Sequence, residues 1–349
     1  MLTKKQIGEI REHLEKAQNP IFYYDNDADG LCAFLLLRRY CGKGSGVAIR
    51  SYPALNASYA DKARQLKADY VFVLDKPVVA KEFFEEIDKM QLPLVWIDHH
   101  LIPQAEEIIS GIFFYNPSLN KGKDKSSEPT SYLAYKISER KEDLWLAVAG
   151  CIADCYMPDF AGEFAKMHPD FWGDAKLPFD AYYKTEIGRI ALALNFGLKD
   201  SASHIVELQK FMISCKSPNE IFLELDSNKN FRSNLSRIRK KYEAILEDAK
   251  KNVFGRIIFY AYSGELSISA DISNELSYYN PDKYIVIAYM KGSITNISMR
   301  GKRVRGILER ILKQLSDSTG GGHEDAVGAR IRTEDLKKFK SLLEEETAR

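Results

Sequence analysis

The feature that most constrains this chain is where its acids fall. Short apolar runs at residues 20–24, 69–74 and 94–97 have the length and composition of buried strands. Each gives way at once to ionisable residues. The first runs into Asp25-Asn26-Asp27-Ala28-Asp29-Gly30, the second stops at Asp75, and the third stops at Asp98-His99-His100. Two more strand-like runs, 46–52 and 112–115, alternate with helical stretches near 3–18, 30–41, 58–67 and 80–90. This alternation predicts an α/β domain built on a parallel sheet with both faces covered. In such a sheet the carboxyl ends of the strands share one edge, where ligands bind.

Acids and histidines delivered to that edge by three strands would crowd negative charge into a small volume. Divalent cations are the natural counter-ions. Alternate residues 25, 27 and 29 can face one side, and Gly30 allows a tight entry into the next helix. Asp75, arriving from another strand, could bridge two ions. Mixed Asp and His donors suit Mn²⁺ or Mg²⁺. Two such ions, about 3.5–4 Å apart, would activate water and stabilise the leaving oxygen of a phosphoester. An EF-hand loop is the competing reading of the acidic string, but position twelve is Leu36 rather than glutamate. Taken alone, adjacent histidines are often incidental; the joint pattern across three strand ends is what carries weight.

Composition adds boundaries. The 349 residues allow two domains, and 45% hydrophobic with 28% charged residues is ordinary for a globular chain. Fifty basic and 49 acidic residues leave a net charge of +1, so any nucleic-acid surface must be local. No apolar run reaches the roughly 18–20 residues that span a bilayer, so no membrane association is expected. The first 18 residues mix charged and apolar positions at helical spacing and lack a secretory core, which points to a cytoplasmic protein. The five cysteines, Cys32, Cys41, Cys151, Cys155 and Cys215, read as reduced thiols. Cys151 and Cys155 lack the second ligand pair a zinc site needs.

Residues 130–155 and 180–225 read as mostly helical. The charged stretch 228–251 reads as a solvated linking helix rather than a nucleic-acid arm. From about 255 the pattern returns to strands at 256–262, 283–290 and 294–300, then a helix at 303–315 and a glycine-rich turn at 320–322. This shift marks a second, smaller α/β domain.

Together these motifs closely resemble the DHH phosphoesterase superfamily. The matching motifs are Asp25–Gly30, Asp75, Asp98-His99-His100, and Gly150 followed four residues later by Asp154. The C-terminal Gly320-Gly321-Gly322-His323 and the Ser298-Met299-Arg300 segment resemble the DHH-associated substrate domain. The resemblance implies a catalytic domain over 1–180 with a Rossmann-like parallel sheet, a helical connector over 181–252, and a substrate-binding domain over 253–349. It implies one ion on Asp25, Asp27 and Asp75, and another on Asp29, Asp75, His99 and Asp154. His100, with Asp98, takes the catalytic role at the scissile phosphate. Arg300 and His323 would hold substrate phosphates, helped by backbone N–H groups of Gly320, Gly321 and Gly322.

Aspartate at position 25 is the form seen in the RecJ-like branch, and the chain resembles its compact, stand-alone archaeal members. The implied function is a Mn²⁺- or Mg²⁺-dependent exonuclease on single-stranded DNA or RNA. A metal-bridging hydroxide would attack, with the strand held between the two domains, and DNA repair is the expected setting. A replication or repair helicase is a possible partner. Tyr52 and Tyr115 could stack bases or pack locally. The runner-up is an oligoribonuclease, or a phosphodiesterase for linear or cyclic dinucleotides. A non-catalytic replication scaffold is the third reading. The second motif departs from the common Asp-x-Gly form, reading Asp75-Lys76-Pro77. Whether Lys76 serves catalysis or balances charge stays open at the level of sequence.

Overall fold

The computed structural model describes residues 1–51, 54–100, 111–120 and 128–348. The chain divides into two compact units, Met1–Leu235 and Ser236–Arg349.

In the first unit, buried aromatic and branched residues form β1 (Pro20–Asp25), β2 (Ser45–Ile49), β3 (Tyr70–Leu74), β4 (Leu94–Ile97) and β5 (Ile112–Tyr115). All pair in parallel, in the order β2-β1-β3-β4-β5. Helix α1 (Lys4–Lys16) precedes β1, and the connecting helices are α2 (Ala28–Cys41), α3 (Ala60–Gln65) and α4 (Lys81–Lys89). Because side chains alternate along a strand, the sheet feeds two cores. Phe22, Tyr24, Phe72 and Leu74 pack on one face with Leu31 and Leu35 of α2. Ile21, Tyr23, Val71 and Val73 pack on the other with Ala63 of α3 and Phe83 and Ile87 of α4. Burial on both faces is why the strands read as unbroken apolar runs. The strand order reverses direction between β1 and β3, so a ligand-binding crevice is expected at their carboxyl ends. Those ends carry Asp25 and Asp75.

The rest of this unit is helical: α5 (Thr130–Ser138), α6 (Leu144–Ala153), α7 (Ala161–Met167), α8 (Pro169–Trp172), α9 (Pro178–Lys184), α10 (Glu186–Gly197) and α11 (Ala202–Ser214). Trp145, Leu146, Ile187 and Leu194 join the same core as α2. The charged stretch forms α12 (Lys229–Lys251), which crosses the boundary between the units. It is not simply solvated. Ile238, Tyr242, Leu246 and Ala249 form a buried stripe at helical spacing, and the Tyr242 hydroxyl donates to Glu275.

The second unit holds β6 (Val253–Phe254), β7 (Ile257–Ser263), α13 (Ser269–Tyr279), β8 (Tyr284–Lys291), β9 (Ile294–Arg300), α14 (Val304–Leu312), β10 (Thr319–Gly322), β11 (Ala326–Arg332) and α15 (Leu336–Ala348). Its sheet runs β10-β11-β9-β8-β7-β6, with β7 and β8 parallel and the other pairs antiparallel. Val286, Met299 and Ile331 of the sheet pack with Ile307 and Ile311 of α14 and Phe339 of α15.

One expectation is corrected here. Gly320, Gly321 and Gly322 form not a turn but the edge strand β10, paired with Ala329, Gly328 and Val327. The turn follows at residues 323–325, closed by the His323 N–H donating to the Ala326 carbonyl at 2.9 Å. Close approach explains two of the three glycines. A Cβ on Gly320 would sit 2.8 Å from the Gly328 carbonyl oxygen, and one on Gly322 would sit 2.5 Å from that of Ala326.

Candidate metal centre

The site is assembled from strand ends and from the starts and ends of helices. Asp25 ends β1, and α2 begins almost at once. Asp27 caps that helix, its side chain accepting from the Gly30 N–H at 2.9 Å. The turn is so tight that a Cβ on Gly30 would lie 2.6 Å from the Asp25 carbonyl oxygen. Asp29, in the first turn of α2, is buried. It accepts from the backbone N–H groups of Thr130 at 2.8 Å and Ser131 at 2.9 Å, and from the Ser131 hydroxyl. Those N–H groups open α5, so its positive end holds the carboxylate in place.

Asp75 follows β3 with a φ of 58°, a left-handed conformation that turns its carboxylate into the site. The Thr130 hydroxyl donates to it at 3.1 Å. His99 follows β4, with Nε2 3.4 Å from Asp75 and 3.7 Å from Asp154 at the end of α6. Asp154 reaches this point because α6 packs closely on α2 and α5. A Cβ on Gly150 would fall 2.5 Å from the Ser131 hydroxyl and 2.8 Å from the Cys32 Cβ. Gly150→Ala is therefore expected to destabilise the protein by about 1–3 kcal/mol. It should also weaken metal binding, because Ser131 holds Asp29. Thermal melts with and without Mn²⁺ check both effects.

Asp98 is fully buried behind His100 rather than among the other carboxylates. It accepts from the His100 backbone N–H at 2.9 Å, pairs with His100 Nδ1 at 3.0 Å, and accepts from Asn116 at 3.3 Å. A carboxylate only accepts, so Nδ1 carries the proton toward Asp98 and Nε2 is the ring nitrogen left for other partners. Asn116 also donates to the His100 carbonyl at 2.9 Å. No motif marks Asn116, since its role depends on β5 lying beside β4.

Burial first, and neighbouring charge second, displace these groups from their ordinary pKa values. Burial, with Asp75 and Asp25, pushes Asp27 well up; burial, with Asp75 and Asp154, does the same to Asp29. Asp154 keeps 43% of its side-chain surface accessible, yet burial still raises it to about 6 against the pull of His99. Burial opposes ionisation of Asp75 and His99, but their mutual hydrogen bond and attraction outweigh it. Asp75 is held down at about 2 and His99 up at about 10. Burial likewise pushes Asp25 up against the pull of Lys76.

Do these residues fit a divalent ion? Two groups, Asp29–His99–Asp154 and Asp75–His99–His100, each place their donor atoms within 4.8 Å of one another. Donors about 2.1 Å from a common octahedral ion lie roughly 3–4.3 Å apart, so the observed spacings suit one. His99 Nδ1 is also buried without a hydrogen-bond partner among the described residues. The donor set of oxygens and imidazole fits Mn²⁺ or Mg²⁺.

Arg300 and His323 lie in the second unit. Arg300 is held by Asn274 at 2.6 Å and by the carbonyls of Met299 and Val327. It is in register with Ala326, which closes the turn carrying the exposed His323. Tyr115 is buried and packs locally, while Tyr52 lies outside the described residues.

The family model for the N-terminal domain of the DHH family matches residues 21–157, and the DHHA1 domain model matches residues 253–349. The chain belongs to the DHH family. Among solved structures, RecJ of Thermus thermophilus in complex with Mn²⁺ matches with a TM-score of 0.67 at 14% identity. That match covers 99% of this chain and 54% of the other, so this DHH protein spans about half the length of that relative. An exonuclease RecJ bound to manganese matches with a TM-score of 0.65 at 14% identity, covering 100% of this chain and 95% of that one. CDC45 from Entamoeba histolytica matches with a TM-score of 0.54 at 10% identity, covering 99% of each chain. No curated protein matches the sequence. At these identities the likeness establishes the fold, a DHH-type α/β unit with a mixed-sheet DHHA1 unit. Among the described residues, no helix is long and apolar enough to cross a membrane.

Proposed function

We propose that this DHH phosphoesterase is a RecJ-like exonuclease, hydrolysing single-stranded DNA or RNA with Mn²⁺ or Mg²⁺. One observation carries the reading: Asp29, Asp75, His99 and Asp154 converge from four separate elements on one cluster, with His99 common to both ligand groups. The near-full-length likeness to a manganese-bound exonuclease supports it. Asp29, Asp75, His99 and Asp154 would hold an ion, with Asp25 and Asp27 beside them. A divalent ion bound there supplies a Lewis acid that acidifies water and neutralises charge on the phosphate.

The chain's own residues do the rest. Helix α5 fixes Asp29, so the ligand cage is ordered before substrate arrives. Burial lowers the proton affinity of His100, but Asp98 more than restores it, leaving a raised pKa. With Nδ1 committed to Asp98, Nε2 donates to a phosphate oxygen and steadies the charge developing on it. In the second unit, Arg300 is already oriented by Asn274, and with His323 and the N–H groups of β10 it holds substrate phosphates. A scaffold without catalysis would have no need of this cage. A cytoplasmic location and a replication or repair helicase partner fit the same reading.

The test is cleavage of 5′- and 3′-end-labelled DNA and RNA, from dinucleotide to long single strand, with Mn²⁺. Long strands are expected to shorten stepwise from one end. A preference above about tenfold for the shortest substrates, in kcat/KM, would replace the exonuclease with a dinucleotide or oligonucleotide phosphodiesterase.

A further inference from the structure

Asp25, one of the ligands expected for a second ion, is already paired with a cation. Lys76 places its Nζ 3.0 Å from Asp25 Oδ1 and 3.4 Å from the Ser51 carbonyl oxygen. The ammonium thus reaches from the end of β3 across the end of β1 toward Ser51, just beyond β2. Lys76 is only 3% exposed, and its own carbonyl accepts from the Trp96 indole at 3.0 Å. Asp75 in its left-handed conformation precedes it and Pro77 follows, so the backbone on both sides is restricted. A buried ammonium is tolerated only when paired, and Asp25 is the carboxylate that pairs it.

The ligand geometry points the same way. Neither group of donors close enough to share an ion contains Asp25 or Asp27. A divalent ion seated on Asp25 would have to displace the ammonium or sit beside it. Displacement leaves a buried lysine unpaired, and coexistence sets three positive charges against the one Asp25 carboxylate. Relatives with the Asp-x-Gly motif would have a flexible glycine where this chain has Pro77.

We propose that the Lys76 ammonium takes the place of the second divalent ion, so that this chain works with one tightly held ion and one fixed lysine. The single ion sits on Asp29, Asp75, His99 and Asp154. Lys76 supplies a positive charge on the Asp25 side. Two of its three N–H groups have acceptors among the described residues, which leaves one for a phosphate oxygen of the substrate. The inference rests on the hydrolytic reading of the site.

Mn²⁺ titration by calorimetry, with electron paramagnetic resonance to detect coupled ion pairs, tests it on the full chain. Wild type is expected to bind one ion, with any second at least about a hundredfold weaker. Lys76→Met should bring the second ion to within about tenfold of the first and produce a spin-coupled pair. Adding Asp25→Asn to that variant should remove the second ion again. Lys76→Arg keeps the charge and should still bind one ion, which preserves the test should Lys76→Met fail to fold. Two ions of similar affinity in wild type, or in Lys76→Arg, overturn the proposal while leaving the hydrolase reading intact. No bound ion at all overturns both.

Discussion

His99→Ala is expected to lower Mn²⁺-dependent phosphodiester hydrolysis by on the order of a thousandfold or more. His99 belongs to both candidate ligand groups and lies within reach of both Asp75 and Asp154. Removing it takes away a donor and also the cation that holds Asp75 down at about 2. Without metal, the remaining acids would then repel more strongly and take up protons, which compete with any ion. The loss should appear mainly in kcat and in metal content, with the far-ultraviolet circular dichroism unchanged, because His99 closes a strand end and packs little of the core. Asp98→Asn provides the graded comparison. Asp98 orients His100 without facing the cluster, so its loss should cost roughly 10–100-fold while metal content stays near wild type. If His99→Ala retained activity within about tenfold of wild type, chemistry would have to occur elsewhere, and a binding role would gain ground.

Much of this site could be read from the chain because of how a parallel sheet is buried. Strands covered on both faces must be apolar throughout, so an acid at the end of such a run stands out, as Asp25 and Asp75 do. Their shared edge follows from the parallel pairing. What could not be read is everything that depends on distant segments meeting. Thr130 and Ser131 anchor Asp29 from 101 and 102 positions away, and nothing in their local sequence marks them for it. The pairing of Lys76 with Asp25 depends on β3 lying directly beside β1. Asn116 acts only because β5 joins the sheet at β4. In the second unit the glycine run hides its structure for a related reason. Composition marks Gly320–Gly322 as a turn, but pairing with β11 draws these residues into an edge strand where a side chain on Gly320 or Gly322 would collide. The stripe on α12 was masked by its charge, since Ile238, Tyr242, Leu246 and Ala249 are spread through many lysines, arginines and glutamates.

Saturating Mn²⁺ is expected to raise the thermal midpoint of the protein by an amount that grows with pH between about 5 and 8. At a free ion concentration a thousandfold above Kd, linkage gives about 4 kcal/mol, which is roughly 10 °C for a unit of this size. The pH dependence comes from the metal-free state. Asp27, Asp29 and Asp154 have pKa values raised by burial. A raised acid contributes stability that is fully present below its unfolded value, near 3.9, and is lost as pH rises through its folded value, about 6 for Asp154. His99 is raised too, so its contribution is complete below about 6.5 and is lost as pH climbs toward about 10. Asp75 is lowered, and its contribution is lost only in acid, as pH falls from about 3.9 toward about 2. From pH 5 to 8, then, the groups that change all weaken the empty site as pH rises. The bound ion reverses this, because it needs the same carboxylates ionised and the imidazole neutral. Ion binding should therefore release protons. Calorimetry in two buffers of different ionisation enthalpy would count them, and paired melts with Mn²⁺ and with a chelator would follow the midpoint. A metal-induced shift that stayed flat or shrank from pH 5 to 8, or binding that released no protons, would mean that these acids are not the ion's ligands.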